Sequence, residues 1–338
     1  MKSYGLNETL DLVVVGVGPP ALVALHDAQA AGLRAVGIDK GPVCSALVKH
    51  PTYMRWFSTA EKLELAGYPL LISEKNPTKR EYLKYCRAFA KHHALEINTY
   101  REVTTIENAG EGFVVRAVDP FGRDYAWTTR NVVVGTGFYD SPRPLRVPGE
   151  DLPHVSHRYT DAHHYAGYDV LIVGGGSSAA EAALECWREG ARVTLVMRSV
   201  KFHTKFWVEP DIENRIAEGS ITCYRNARVT EIRPDDVAIV DESGAEVVLP
   251  IDLVLAMTGY TPDTSLLKSV GAKVDAATNE PVLSDALEST VPGLYVMGTL
   301  IAGVKSNVVF IENSRDHGAR IVAGILEKRA TMAEKSPI

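Results

Sequence analysis

Two short stretches carry glycines at a spacing that could do chemistry: Gly16-x-Gly18-x-x-Ala21 within VGVGPPA, and Gly174-x-Gly176-x-x-Ala179 within VGGGSSA. In such a pattern the first Gly permits a tight turn and the second leaves the backbone bare. The small third residue lets a helix pack closely on a strand. Bare N–H groups at a helix start, reinforced by the helix dipole, suit an anion. The chemistry implied is the gripping of a dinucleotide pyrophosphate. One match would be a weak signal, but two in the same strand–turn–helix setting are specific.

The elements that must position these glycines are legible around them. Residues 10–39 and 168–198 each open with a continuous β-branched apolar run, the pattern of a strand buried on both faces. A glycine turn, an Ala-rich helix of about three turns, a closing Gly (Gly32, Gly190) and a second apolar strand follow. This is a βαβ unit made twice, about 158 residues apart. Pro19 and Pro20 occupy the first turn of the first helix, where proline is tolerated because those N–H groups lack helical partners. Pro20 nevertheless deletes a donor that would face a phosphate.

The residues after each second strand separate the two ligands. Asp39 lies about 20 residues beyond Gly18, where a carboxylate can bond a ribose diol, so the first site suits FAD or NAD. The second unit ends in Met197-Arg198-Ser199, with Lys201 and Lys205 beyond, and has no carboxylate there. Cations in that place suit the 2′-phosphate of NADPH. The competing reading is an ordinary solvated basic loop.

Bulk properties set limits on the rest. At 338 residues the chain is comfortable as two domains. A net charge of −6 gives no reason to expect nucleic acid or an anionic membrane as partner. No apolar run is long enough to span a bilayer, and MKSYGLNETL lacks the apolar core of a signal peptide, so a cytoplasmic protein is expected. Cys44, Cys86, Cys186 and Cys223 are widely spaced with no C-x-x-C, which argues against a zinc site and a built-in redox dithiol. Cys86 and Cys186 read as buried small hydrophobes; Cys44 sits in a loop near the first site.

Between the glycine units, residues 43–75 read as irregular, 77–93 as a helix with Tyr82, Tyr85, Cys86 and Phe89 on one face, and 96–134 as strands turning at FGRD. The Pro-rich SPRPLRVPGEDLP marks a domain crossing, and DLVLAMTGYTPD a second. A strand at 293–299 and a final helix over 306–327 complete the chain, and the tail after Lys328 reads as loose. The expected class is α/β with two Rossmann-like dinucleotide-binding domains, the second inserted into the first: residues 1–150 and 263–338 for FAD, 151–262 for NADPH.

With two such loops, GTG at 135–137 and MTGYTPD at 257–263, the chain resembles the thioredoxin-reductase-like flavoproteins. GLYVMG, ending at Gly298, is similar to their flavin-contacting G-x-x-x-x-G-D motif, with Thr299 in place of the Asp that binds the ribityl chain. HPTYMRWFSTAEKLELAGYPL (50–70), HRYTDAHHY (157–165) and FIENSRDHG (310–318) look like one branch, the YpdA-type bacillithiol disulfide reductases. The resemblance runs from about residue 10 to 328. It implies FAD contacts from Gly16, Gly18, Pro19, Pro20, Ala21, Asp39, Lys40, Phe57, Ser58, Val103, Thr136, Gly137, Gly298, Thr299, Phe310 and Ile311. It implies NADPH contacts from Gly174, Gly176, Ser177, Ser178, Ala179, Arg198 and Lys201. The branch commonly has Cys where this chain has Pro20, and that thiol is proposed to attack the disulfide; Pro20 cannot.

The implied function is NADPH-dependent reduction of a low-molecular-weight disulfide, such as bacillithiol disulfide, through FAD. No catalytic residue is assigned, and no metal. Either reduced flavin delivers electrons directly, or the substrate differs, or a thiol such as Cys44 serves. The start of the last helix near Ser306-Asn307 is placed to stabilise an anionic reduced ring. By residue type alone, His163, His164 and His317 are candidate proton donors. Three readings compete: a reductase of ferredoxin, flavodoxin or quinone, needing no cysteine; a flavin monooxygenase, whose F-x-G-x-x-x-H-x-x-x-Y pattern is absent around 155–165; and a non-catalytic redox sensor. The partner is therefore a small disulfide or a small redox protein, and a homo-oligomer is expected.

Overall fold

A computed structural model describes residues 9–305 and 308–335. The chain divides into two compact units: residues 1–48, 54–141 and 261–338 form one, and 49–53 with 142–260 the other.

In the first unit the opening apolar run is β1 (Leu10–Val15), buried at every position. The glycine turn leads into α1 (Pro19–Ala30), and β2 (Ala35–Ile38) follows. Side chains alternate along β1 from Leu12 onward: Leu12 and Val14 join the core under α1, while Val13 and Val15 join the core of the opposite face. That period of two is what a central strand sandwiched between two layers requires. Two short helices, α2 (Ser45–Val48) and α3 (Ala60–Leu63), interrupt the stretch expected to be irregular. The expected helix is α4 (Lys79–His92): Thr78 caps it, Thr78 and Glu81 close a capping box, and Tyr82, Tyr85, Cys86 and Phe89 are its buried face.

β3 (Ile97–Asn98), β4 (Glu102–Asn108), β5 (Phe113–Val118) and β6 (Asp124–Val134) come next. β6 makes two kinds of pairing within one seven-stranded mixed sheet. Its first half pairs antiparallel with β5 in a meander; its second half lies parallel to β1. After α7 (Ser265–Ser269), β15 (Leu294–Val296) pairs parallel on the outer side of β6. The parallel order is thus β3-β2-β1-β6-β15. A short 3₁₀ turn, Gly298–Ala302, leaves β15.

The last helix differs from expectation. It is two helices, α8 (Ile311–Ser314) and α9 (His317–Lys335), and Ser306 and Asn307 lie outside the described residues. Packing explains the reset between them. A Cβ at Gly318 would meet the Ala24 Cα at 2.6 Å, so α9 must leave α8 and turn against α1 at closest approach. Nor does the helix end near Lys328. It runs to Lys335, and Arg329 Nη2 reaches Asp11 Oδ1 at 2.6 Å. Asp11, buried at the foot of β1, also accepts from the Arg34 N–H and from Arg130 Nη1.

The second unit repeats the plan. β8 (Asp169–Val173), α5 (Ser177–Arg188) and β9 (Arg192–Val196) form the βαβ, and α6 (Glu209–Ala217) leads to β10 (Thr222–Tyr224). With β7 (Val155–Ser156) and β14 (Leu253–Ala256) these strands make a parallel sheet ordered β10-β9-β8-β14-β7. An antiparallel meander of β11 (Arg228–Ile232), β12 (Asp236–Val240) and β13 (Glu246–Pro250) packs through its own apolar cluster. Two doubly wound parallel sheets in one chain are the α/β class expected.

Candidate functional site

In the first unit, three glycine segments meet at the carboxyl ends of β1, β6 and β15, where ligands of open α/β sheets bind. Gly16 has φ +87°, and a Cβ there would sit 2.6 Å from the Gly135 carbonyl oxygen. A Cβ at Gly135 would meet Met297 Cγ at 2.9 Å; one at Gly137 would meet Thr299 Oγ1 at 3.4 Å. One at Gly298 would lie 3.9 Å from Pro20 Cγ. The expected residues Gly16, Pro20, Gly137, Gly298 and Thr299 therefore share one place, and at Gly16 the backbone approach leaves no room for a larger residue. Gly18 is different: a Cβ there would meet only Pro20 Cδ, at 4.0 Å. The backbone is bare toward open space.

α1 starts at that spot with no side-chain cap and no acidic residue in its first turn, unlike self-capped α4. Pro19 and Pro20 fill its first two positions, so Ala21 carries the first helical N–H. Ala21 itself is buried, as close helix–strand packing demands.

Asp39, at the end of β2, is 6% exposed. Its Oδ2 accepts from the Val17 N–H at 2.8 Å and its Oδ1 from the Gly41 N–H at 2.8 Å. Burial pushes its carboxyl above the ordinary Asp range, against the pull of those hydrogen bonds. The carboxylate faces a cleft of about 210 Å³ lined by Gly16, Lys40, Val103, Thr136 and Gly137 of the expected set. Residues that sequence reasoning missed complete it: Arg101, Asp140, Asp263, Ser265 and Leu266. Lys40 Nζ pairs with Asp140 Oδ2 at 3.0 Å, and Arg101 stacks on Tyr125 at 4.0 Å. Arg101 and Asp140 come from loops and Ser265 and Leu266 from the start of α7, far apart in sequence; only Asp263, the end of MTGYTPD, lay in a marked pattern.

Phe57, Ser58, Phe310 and Ile311 do not line this cleft, but the fold brings them together. The exposed rings of Phe57 and Phe310 meet edge to face at 5.9 Å. Ser58 Oγ donates to Glu312 Oε1. Arg315 Nη1 donates to the carbonyls of Glu61, Lys62 and Glu64 at 3.1–3.3 Å, capping the end of α3. Glu312 and Arg315 were unassigned in sequence, although both lie in FIENSRDHG.

The second glycine turn obeys the same rules with other residues. Gly174 has φ +146°, and a Cβ there would strike the Met257 carbonyl oxygen at 2.4 Å and Ala179 Cβ at 3.2 Å. A Cβ at Gly176 would meet nothing within 4 Å. α5 begins there without a side-chain cap or a first-turn acid, with Ser177 and Ser178 leading. Arg198 and Lys201 follow β9, exposed and in no ion pair among the described residues. Lys205 is already engaged, 2.7 Å from Glu181 Oε1.

The remaining candidates change character. Cys44, Cys86 and Cys186 are buried and Cys223 is half-buried, all as free thiols. The hydrogen bond with Cys86, then burial, holds the Cys44 thiol well above its ordinary value, so it is a poor nucleophile. His317, 3% exposed, accepts the Gly298 N–H on Nδ1 at 3.1 Å, and burial lowers its pKa. It holds the Gly298 turn rather than donating a proton. His163 and His164 lie exposed on a 3₁₀ turn of the second unit. The helix start expected at Ser306-Asn307 falls outside the described residues. No group of three or more metal-ligating side chains occurs among the described residues, and no described helix is long and apolar enough to cross a membrane.

Comparison with known proteins agrees with this arrangement. The model of the pyridine nucleotide-disulphide oxidoreductase family matches residues 13–298. Bacilliredoxin reductase Bdr of Bacillus subtilis is 33% identical over 94% of this chain and 97% of its own length. A structure of bacillithiol disulfide reductase Bdr (YpdA) from Bacillus cereus, 31% identical, superposes with a TM-score of 0.93 over 95% of this chain and all of its own. A ferredoxin–NADP reductase of Ignicoccus hospitalis is 26% identical over 88% of this chain and 92% of its own. Two glycine turns at the ends of two parallel sheets, and a match running through both, lead to one conclusion: the chain belongs to the pyridine nucleotide-disulphide oxidoreductase family.

Proposed function

We propose that the protein binds FAD in its first unit and NADPH in its second, and reduces a low-molecular-weight disulfide such as bacillithiol disulfide. A single observation supports the assignment of ligands: one chain has two uncapped helix starts over bare glycines, one backed by buried Asp39 and the other by exposed Arg198 and Lys201. The disulfide substrate rests on likeness to the Bdr proteins over nearly the whole chain.

Gly18 and Gly176 fit the groups proposed, because the space that a Cβ would take stays free beside each helix start. Flavin held there would supply two-electron redox chemistry between reduced nicotinamide and a disulfide, a hydride equivalent and one added proton accounting for the two thiols formed. The chain's own residues bind and orient. Val17 and Gly41 fix the Asp39 carboxylate toward the cleft, where it can take a ribose diol. His317 holds Gly298 beside Pro20, and Arg315 pins α3 beneath Ser58. Thr299 puts a hydroxyl where a carboxylate is usual in the resembling flavoproteins, beside Gly137. A cytoplasmic location and a homo-oligomer complete the reading.

A second reading has a specific observation in its favour. Pro20 occupies the thiol position of the branch, and the Cys44, Cys186 and Cys223 thiols are all pushed up by burial or by a neighbour. Direct electron transfer to a small redox protein needs none of them. Anaerobic reduction with NADPH, followed by stopped-flow reoxidation with bacillithiol disulfide, ferredoxin or oxygen, separates the two. Bacillithiol disulfide is expected to reoxidise the flavin faster than oxygen does. If oxygen wins and ferredoxin beats both, the disulfide assignment is wrong.

A further inference from the structure

The loop after β9 is held in shape from both ends, and the device at its head lies outside the glycine motif. Arg225 follows β10 and is distant in sequence from the loop it touches. Its Nη1 donates to the Val200 carbonyl at 2.5 Å, and its Nη2 donates to Glu213 Oε2 on α6 at 2.6 Å. The guanidinium carbon stands 5.5 Å over the ring of buried Phe202. Three different partners thus converge on one planar group, and two of them are the neighbours of Lys201. The far end of the loop is tied to the glycine turn: the His203 N–H donates to the Gly175 carbonyl at 2.7 Å, and Thr204 Oγ1 to Ser177 Oγ at 3.3 Å. Lys201 lies between these anchors and Arg198 two residues before the first; both are exposed and in no ion pair among the described residues.

We infer that Arg225 is the positioning residue for coenzyme discrimination. By gripping Val200 and Phe202 it presents Arg198 and Lys201 as a fixed pair of cations for the 2′-phosphate. Arg225 is itself occupied by Glu213 and the Val200 carbonyl, so it acts through the loop and not on the phosphate. A planar fork with several donors can hold a carbonyl, a carboxylate and an aromatic face together; a lysine ammonium can hold at most part of that set. The inference rests on the proposal that this unit takes NADPH.

The test is the ratio of kcat/KM with NADPH to that with NADH, measured by reduction of the bound flavin in holoenzyme. Variants are Arg225→Met, Arg225→Lys, Arg198→Ala and, as a control on an exposed pair elsewhere in the unit, Arg192→Ala. The Met variant is expected to lower the ratio about tenfold, through the KM for NADPH rather than kcat, and the Lys variant to recover part of it. Arg192→Ala leaves the ratio alone. If wild type shows no preference for NADPH, the coenzyme assignment itself fails. If wild type prefers NADPH, Arg198→Ala abolishes the preference and Arg225→Met keeps it, then Arg225 does not position the loop. Melting temperatures guard against a fold effect: a Met variant that loses stability and loses kcat/KM for both coenzymes in parallel also overturns the inference.

Discussion

The two glycine turns share a motif and differ in almost everything around it. At α1, two prolines remove the first two N–H groups of the helix, leaving that of Ala21, and the residue behind is a buried carboxylate tied to two backbone donors. At α5, two serines keep their N–H groups and add hydroxyls, and the residues behind are solvent-exposed cations. Like helix starts with opposite charge behind them teach that the turn selects for a pyrophosphate in general, whereas the strand end beyond it selects which nucleotide.

The comparison breaks most sharply at its common element. Gly16→Ala and Gly174→Ala each drive a Cβ into a carbonyl oxygen at a φ that L residues avoid. Each is expected to cost roughly 2–4 kcal/mol and to abolish binding at its own site. Flavin content reports the first and nicotinamide fluorescence quenching the second. A Gly174→Ala protein that binds NADPH normally would show that the close approach to Met257 is dispensable.

Charge at the second strand end comes next in size. Arg198→Ala combined with Lys201→Ala should raise the KM for NADPH roughly ten- to hundredfold and change that for NADH little, because two charge-assisted contacts are lost only with the phosphate. Equal losses with both coenzymes would return the pair to a solvated basic loop.

Converting one turn toward the other is a smaller change. Pro20→Ser supplies the first turn of α1 with the N–H and hydroxyl that α5 has. FAD is expected to bind about three- to tenfold more tightly, the net worth of one ordinary added hydrogen bond. Titration of apoprotein with FAD measures it, and unchanged affinity would mean that the phosphate lies elsewhere.

The smallest effect concerns pH. His317 has a folded pKa below its unfolded value, so the unfolded chain binds more protons as pH falls through about 6.5. Stability conferred by neutral His317 is therefore complete above that pH and is lost progressively below it. His317→Gln, which can still accept from Gly298, should flatten that part of the pH dependence of the melting temperature.

Sequence reasoning reached the repeated βαβ units because their signal is local: buried parallel strands read as continuous apolar runs, and glycine turns have a fixed spacing. α4 was equally legible, through its aromatic face at helical period; its Thr78–Glu81 capping box emerged only in the structure. The final helix was misplaced because its break answers to Ala24 on α1, a contact that no window around Gly318 contains. His317 was legible as a histidine and illegible as an acceptor, since its role depends on Gly298.

What the amino-acid order alone determined is the pair of turns, the class of ligand they grip and the sign of the charge behind each, since all three are set within about 30 residues of chain. What only the folded chain decided is how loops distant in sequence serve them: Arg101, Asp140 and Asp263 in the first cleft, the Ser58–Glu312 and Arg315–α3 contacts, and Arg225 beneath Val200. The physical reason is range. Backbone geometry and helix dipoles act between neighbours in the chain, whereas burial, ion pairing and carbonyl capping act between whatever the sheets bring together.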